Sequence, residues 1–463
     1  MLVNDLRSGG STVLVLGTDD VGLALGKALE GFGNSVFFWD GDRDSGVYRR
    51  FINSTLTALE DIDSYPLESV DCLILSQKLF SGDEEFMERF GRRIKKLEGK
   101  VFLDIEIVKI LFHGSRLMAI VGDSYAKIVH GALDCIFENS PRRAILLPSE
   151  MNLPEIGRDE SDGGLNLQGD NLFLMNLTGQ ILEYLGNIDF DIVAILSLGA
   201  EGQSTADVER FLSKQAMTGI AIINLDDEGS REFWNGPRFG SGSTVLIPLS
   251  TDKMIENGYS YVNETIYNYY DSNSSHDLTN DRLVGSKINK LSILSSFVAA
   301  TRFGLDPLAV TTALRFFQGT AGRMECVRQS DGVIFINNVC AETMDILESP
   351  FDMYNAIHAI FLANGRVGEA MIRPRDYRDK LKSVFLIDAF DMFDLDAAEF
   401  GELTVKKAKD IREAVAAIGD IIDSERREEE ESALVISPIH SDRMNSSYYE
   451  SLGDEFRRIV RGL

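Results

Sequence analysis

The 463 residues exceed what one ordinary core takes up and predict two to four domains. Apolar residues make up 44 % and aromatics 9 %, which is ample to bury. The balance of 46 basic against 73 acidic residues leaves −27, which excludes a general nucleic-acid binder, because phosphate affinity rests on clustered Lys and Arg. The sequence has no apolar run of about 18 residues, and its N-terminus lacks an apolar signal core, so a cytoplasmic protein without a membrane span is expected. Cys72, Cys135, Cys326 and Cys340 form no C-x-x-C, which argues against a zinc site or redox pair.

Thr12 to Leu16 is a short apolar strand ending at Gly17; a helical pattern follows from Val21 to Gly31, and a second strand from Ser35 to Asp40. Gly17-Thr18-Asp19-Asp20-Val21-Gly22 departs from G-x-G-x-x-G at its middle glycine. A carboxylate at that place repels a pyrophosphate, so dinucleotide binding is disfavoured, although Asp40 stands where a ribose-binding acid would. The stretch is either plain α/β scaffold or a nucleotide-type pocket. Further strands are expected at Cys72–Leu75, Val101–Leu103 and Met118–Val121.

Met118 to Val129 reads M-A-I-V-G-D-S-Y-A-K-I-V, the outline of a strand–loop–helix phosphate site. Such a loop needs a second glycine for close backbone approach, a lysine against the phosphate charge and a hydroxyl for Mg²⁺. Tyr125, Ala126 and Lys127 stand there instead.

Strands are expected at Ile192–Leu196 and Ala221–Asn224, and helices at Lys290–Phe303 and Pro307–Phe317. A last set of strands falls at Val333–Ile336, Ala359–Leu362, Val384–Ile387 and Ala433–Ile436. Strands alternating with helices predict parallel sheets covered by helices. Arg158–Gly169 and Asp271–Asp281 read as loops or excursions, and Ser424–Ser432 as a solvated helix end or loop. There is no internal repeat.

Phe317-Gln318-Gly319-Thr320-Ala321-Gly322-Arg323-Met324-Glu325, leading into Gly332-Val333-Ile334-Phe335-Ile336-Asn337-Asn338, is the most specific run. With Asp104-Ile105-Glu106-Ile107-Val108, Asn176 to Glu183 and Ser437-Pro438 in the same order, the chain resembles the Mur ligase family over nearly its whole length, nearest the D-glutamate-adding MurD type. The resemblance implies an α/β protein of three domains. Rossmann-like N-terminal (1–115) and C-terminal (325–463) domains would flank a central P-loop-type ATPase domain (116–324). It also implies an ATP- and Mg²⁺-dependent ligase that joins D-glutamate to UDP-N-acetylmuramoyl-L-alanine through an acyl phosphate, in cell-wall peptidoglycan precursor synthesis.

The resemblance sets Gly122, Asp123, Ser124, Lys127, Arg323 and Asn337 at nucleotide positions, and Gly17, Asp40, Arg366 and Ser437 at substrate positions. Lys214 matches the lysine that the family carbamylates beside a second Mg²⁺, its alternative being an ordinary solvated lysine. Arg323 matches a phosphate-contacting arginine, its alternative being an interdomain ion pair. Asn337 and Asp226-Asp227 match too, but turn and strand-end hydrogen bonding explains them equally.

Elsewhere the anion-handling equipment differs. The phosphate-loop lysine falls on Ala126, unless a shift of one brings Lys127 into its place. The family's metal-binding Glu and His fall on Asn176 and Gly202, its adenine-side pair on Lys287-Ile288, and its D-S-K triplet on Asn338-Val339-Cys340. A serine of the C-terminal motif falls on Asp442. The sequence therefore leaves two readings. One is a ligase whose reaction is impaired or rewired; the other is a non-catalytic scaffold contacting cell-wall or division proteins.

Overall fold

The structure is a computed structural model. It describes residues 6–463 except 18–19, 41–47, 50–51, 53–55, 77–78, 80–83, 98, 112–114, 139–143, 148–170, 178–180, 182–188, 199–207, 209–218, 236–243, 281–284, 342–343, 364–372, 389–402, 404, 426–431 and 440–445. The chain forms two compact units, Met1–Ala126 with Phe137–Pro248, and Lys127–Ile136 with Leu249–Leu463.

The first unit begins with a parallel sheet of β1 (Thr12–Leu16), β2 (Ser35–Trp39), β3 (Thr57–Ala58), β4 (Cys72–Leu75) and β5 (Val101–Leu103), in the order β3-β2-β1-β4-β5. The helices are α1 (Asp20–Gly31), α2 (Glu84–Lys95) and α3 (Asp104–Leu111). β4 is buried at every residue, which is why it reads as an unbroken apolar run rather than an alternation.

The same unit holds β6 (Arg116–Val121), β7 (Ala144–Leu147), β8 (Leu172–Asn176), β9 (Ile192–Ile195) and β10 (Ile220–Asn224), parallel in the order β10-β9-β6-β8-β7. Helix α4 (Asp123–Phe137) follows β6, and α5 (Glu228–Trp234) follows β10. Leu14, Leu16, Phe38, Phe173 and Phe233 are among the large side chains buried in this unit's core. The chain passes to the second unit within β11 (Val245–Ser250).

In the second unit, β12 (Tyr259–Val262), β13 (Thr265–Asn268) and β14 (Ser274–Asp277) form an antiparallel meander. Asp271–Asp281 is thus not loop throughout. Asn268 accepts from Tyr270 N–H at 3.1 Å and donates to Asp271 at 2.7 Å, which turns the chain into a polar strand with no apolar residue to betray it.

Helix α6 (Lys287–Arg302) starts earlier than the apolar pattern, because Ser286 Oγ accepts from Asn289 N–H at 3.1 Å and caps it. Helix α7 (Pro307–Leu314) is capped by Asp306 and ends before Phe317.

The last sheet comprises β15 (Glu325–Ser330), β16 (Val333–Asn337), β17 (Ala356–Ala363), β18 (Leu381–Asp388), β19 (Val405–Lys407) and β20 (Ser432–Pro438), in the order β15-β16-β20-β17-β18-β19. It is parallel except for the β15–β16 hairpin. Helices α8 (Met344–Met353), α9 (Ile411–Glu425) and α10 (Ser446–Arg461) complete the unit. Helix α9 is described to Glu425 and β20 from Ser432, and the residues between them in Ser424–Ser432 lie outside the described residues.

Candidate functional site at the strand carboxyl ends

In an open parallel sheet a ligand crevice forms at the carboxyl ends of the strands where the strand order reverses, because the two connections leave to opposite faces there. In the first sheet that point is between β1 and β4. Gly17 ends β1 in the left-handed region (φ +82°), and its N–H donates to Trp39 O at 2.9 Å. A Cβ on Gly17 would stand 2.9 Å from Leu79 Cγ and 3.0 Å from Ser76 Cβ, so the glycine is required by close packing. Asp40, one residue past β2, is buried. Residues 18–19, which hold the departure from the glycine fingerprint, lie outside the described residues.

In the second parallel set the order reverses at β6, between β8 and β9. Gly122 follows β6 with φ +126° and ψ 97°, and α4 begins at the next residue, Asp123. The expected phosphate loop is therefore reduced to one residue. Ser124, Tyr125, Ala126 and Lys127 are all helical, because no second glycine holds the chain open. Tyr125 N–H donates to Gly122 O at 3.1 Å and closes the turn. Tyr125 and Ala126 are buried, and Lys127 is exposed.

Beside this turn, Asp227 caps α5. Its Oδ2 accepts from Ser230 N–H and Ser230 Oγ at 2.7 Å each and from Leu198 N–H at 3.1 Å, and Ser197 Oγ lies 3.4 Å from Oδ1. Asn224 Nδ2 donates to Leu196 O at 2.8 Å, and its Oδ1 accepts from Asp226 N–H at 3.0 Å. Asn224 and Asp227 thus hold together the ends of β9 and β10.

A triphosphate cradle needs a row of backbone N–H groups and a cation at the strand end. The residues present do not fit one: a single residue separates strand from helix, the lysine position that the resemblance gives is the buried Ala126, and its alternative, Lys127, is exposed on α4. Lys214, Gly202, Arg366 and Asp442, together with Arg158–Gly169, lie outside the described residues.

In the second unit the sequence-predicted residues Lys127, Arg323, Asn337 and Ser437 fall in one neighbourhood. Thr320 Oγ1 donates to Lys127 O at 3.3 Å, and Arg323 N–H donates to Thr320 O at 2.9 Å. Arg323 is buried in a turn between Gly322 (φ +72°) and Met324 (φ +48°). A Cβ on Gly322 would stand 2.6 Å from Cys340 Sγ, which explains the glycine.

Two residues without an assigned role in the sequence reading tie this neighbourhood together. Glu325 Oε2 accepts from Gly322 N–H at 2.9 Å, Asn337 Nδ2 at 2.8 Å and Arg457 Nη1 at 2.7 Å. Asn338 Oδ1 accepts from Met324 N–H at 3.1 Å, while its Nδ2 donates to Ser437 Oγ at 3.4 Å. Gly453 brings α10 close, since a Cβ there would lie 3.0 Å from Asn337 Nδ2. Glu325 carried a signal in the R-x-E spacing, whereas Arg457, 132 residues away, carried none.

No protein-family model matches the sequence. The UDP-N-acetylmuramoylalanine--D-glutamate ligase of Paramagnetospirillum magneticum is 21 % identical over 462 residues, covering 98 % of this chain and 96 % of that protein. Among solved structures, UDP-N-acetylmuramate-alanine ligase MurC from Thermotoga maritima superposes with a TM-score of 0.52 at 12 % identity, covering 98 % and 99 % of the two chains. MurF ligase from the same organism, solved in complex with ADP, gives 0.51 at 14 % identity over 92 % and 95 %. The chain thus has the fold of the Mur ligases and is similar in sequence, at low identity along its whole length, to a ligase of that family.

Proposed function

We propose that the chain is a MurD-type homologue in which the ATP- and Mg²⁺-dependent addition of D-glutamate to UDP-N-acetylmuramoyl-L-alanine is impaired. What supports this is the whole-length likeness to a ligase of that name, together with a segment after β6 that is helical from Asp123 onward. In this reading the domains are 1–115, 116–324 and 325–463, carrying strands β1–β5, β6–β14 and β15–β20. Gly17, Asp40, Arg366 and Ser437 belong to the substrates. Gly122, Asp123, Ser124, Lys127, Arg323 and Asn337 mark the nucleotide positions, with Lys214 toward the metal. Among the described residues no helix is long and apolar enough to cross a membrane.

Phosphate release in the presence of both substrates, ATP and Mg²⁺ tests the proposal. It should run at least about 100-fold below a MurD ligase control, the size of one lost preorganised contact. Release at the control's rate would remove the proposal.

The one-residue turn at Gly122 also favours a second reading, a non-catalytic binding or scaffold protein that contacts other cell-wall or division proteins. That reading predicts no phosphate release at all, with UDP-N-acetylmuramoyl-L-alanine still raising the melting temperature.

A further inference from the structure

We infer that Tyr125 seals the phosphate end of the β6 switch point, so that the chain takes no nucleoside triphosphate there. The inference rests on the proposed function only for the kind of ligand the position would have held. A phosphate loop works by leaving a run of backbone N–H groups lined up between strand and helix. Here the segment between strand and helix is Gly122 alone, and the side of its Cα on which a side chain would stand is covered. Tyr125 Cδ2 lies 3.1 Å, and Ser197 N 3.2 Å, from the point where a Cβ on Gly122 would stand. The ring is buried, so it fills that space rather than lying over it.

The neighbouring donors are directed to protein acceptors. Tyr125 N–H goes to Gly122 O, Ser197 N–H to Val121 O at 3.3 Å, Leu198 and Ser230 N–H to Asp227, and Asp226 N–H to Asn224. The Asp227 carboxylate at the end of β10 further opposes phosphate. Glycine at 125 would both free the space and let the first turn open.

Thermal melts of the full chain with and without millimolar Mg·ATP test this. Wild type is expected to show no shift. Tyr125→Gly/Ala126→Lys is expected to gain a saturable rise in melting temperature, and Tyr125→Ala, which keeps a good helix former, a smaller one. Inorganic pyrophosphate should reproduce the gain, because the phosphates are what enters.

A saturable wild-type shift overturns the seal. So does silence in whichever of the two variants fold. Melts with UDP-N-acetylmuramoyl-L-alanine score the proposed function separately. A wild-type ATP shift without phosphate release removes the seal and leaves the impaired ligase standing. Silence toward both ATP and the UDP-sugar removes substrate binding and leaves the seal.

Discussion

Arg457 and Glu325 are joined at 2.7 Å by a bond from Nη1 to Oε2, and that one oxygen also accepts from the Gly322 backbone and the Asn337 amide. Arg457 reaches in addition to Asp454 on its own helix. The pair fastens α10 to the turn that carries Arg323. Removing one partner of a mostly buried ion pair leaves the other uncompensated, at a cost of about 3–5 kcal/mol. Glu325→Ala and Arg457→Ala are each expected to fall near the lower end of that range in urea unfolding. A loss under about 1 kcal/mol in both would show that the pair holds nothing in place.

Asp227 caps α5 and simultaneously accepts from the loop after β9. Loss of a helix N-cap costs roughly 0.5–2 kcal/mol, and here a second backbone donor is orphaned as well. Asp227→Ala should therefore destabilise by about 2 kcal/mol, and Asp227→Asn, which keeps an acceptor, by less. Equal losses in the two variants would rule out the acceptor as the cause.

The thiols should divide by burial. Burial, with Glu106 and Asp71 nearby, pushes Cys72 up to about 12; burial, with Glu325 nearby, pushes Cys326 up to about 11. Cys340 is also buried, whereas Cys135 is half-buried and donates to Ala313 O at 3.3 Å. Because the thiolate is the reactive form, a thiol reagent at pH 8 is expected to modify Cys135 first in the native protein and all four after unfolding. Rapid native labelling at Cys72 would contradict the packing of β4.

His276 supplies a pH dependence of definite sign. Burial lowers its pKa below 6.5, against an opposing pull from Asp306. The unfolded chain then binds the proton more readily than the folded one, so stability falls as pH drops through about 6.5 and levels off below the folded-state pKa. His276→Gln should flatten the urea midpoint over that window. An unchanged slope in the variant would assign the acid sensitivity elsewhere.

Parallel strands were legible because burial on both faces leaves continuous apolar runs. Cys72–Leu75, buried at every residue, matches its expected bounds for that reason; Val101–Leu103 matches too, although only Leu103 is buried. β14 was not legible, because Ser274-Ser275-His276-Asp277 has the composition of a loop and is made a strand by pairing with β13. The glycine at 122 predicts a turn, and the phosphate-loop outline predicts more loop after it than the chain has. Ser124, Tyr125, Ala126 and Lys127 extend a helix once the second glycine is gone. Glu325 and Asn338 stand in the motif run with Gly322, Met324 and Asn337, but their other partners, Arg457 and Ser437, come from far along the chain, where spacing carries no information.

Burial of the residue next to the ring also fixes an order of repair. Ala126 is only 3 % exposed, so a lysine introduced there while Tyr125 remains would have to bury its ammonium in apolar packing. A charge placed there before the ring is removed is therefore expected to cost stability, whereas removing the ring alone opens space for phosphate without supplying a cation. The two changes are thus unequal as first steps, and only one order of making them avoids a loss.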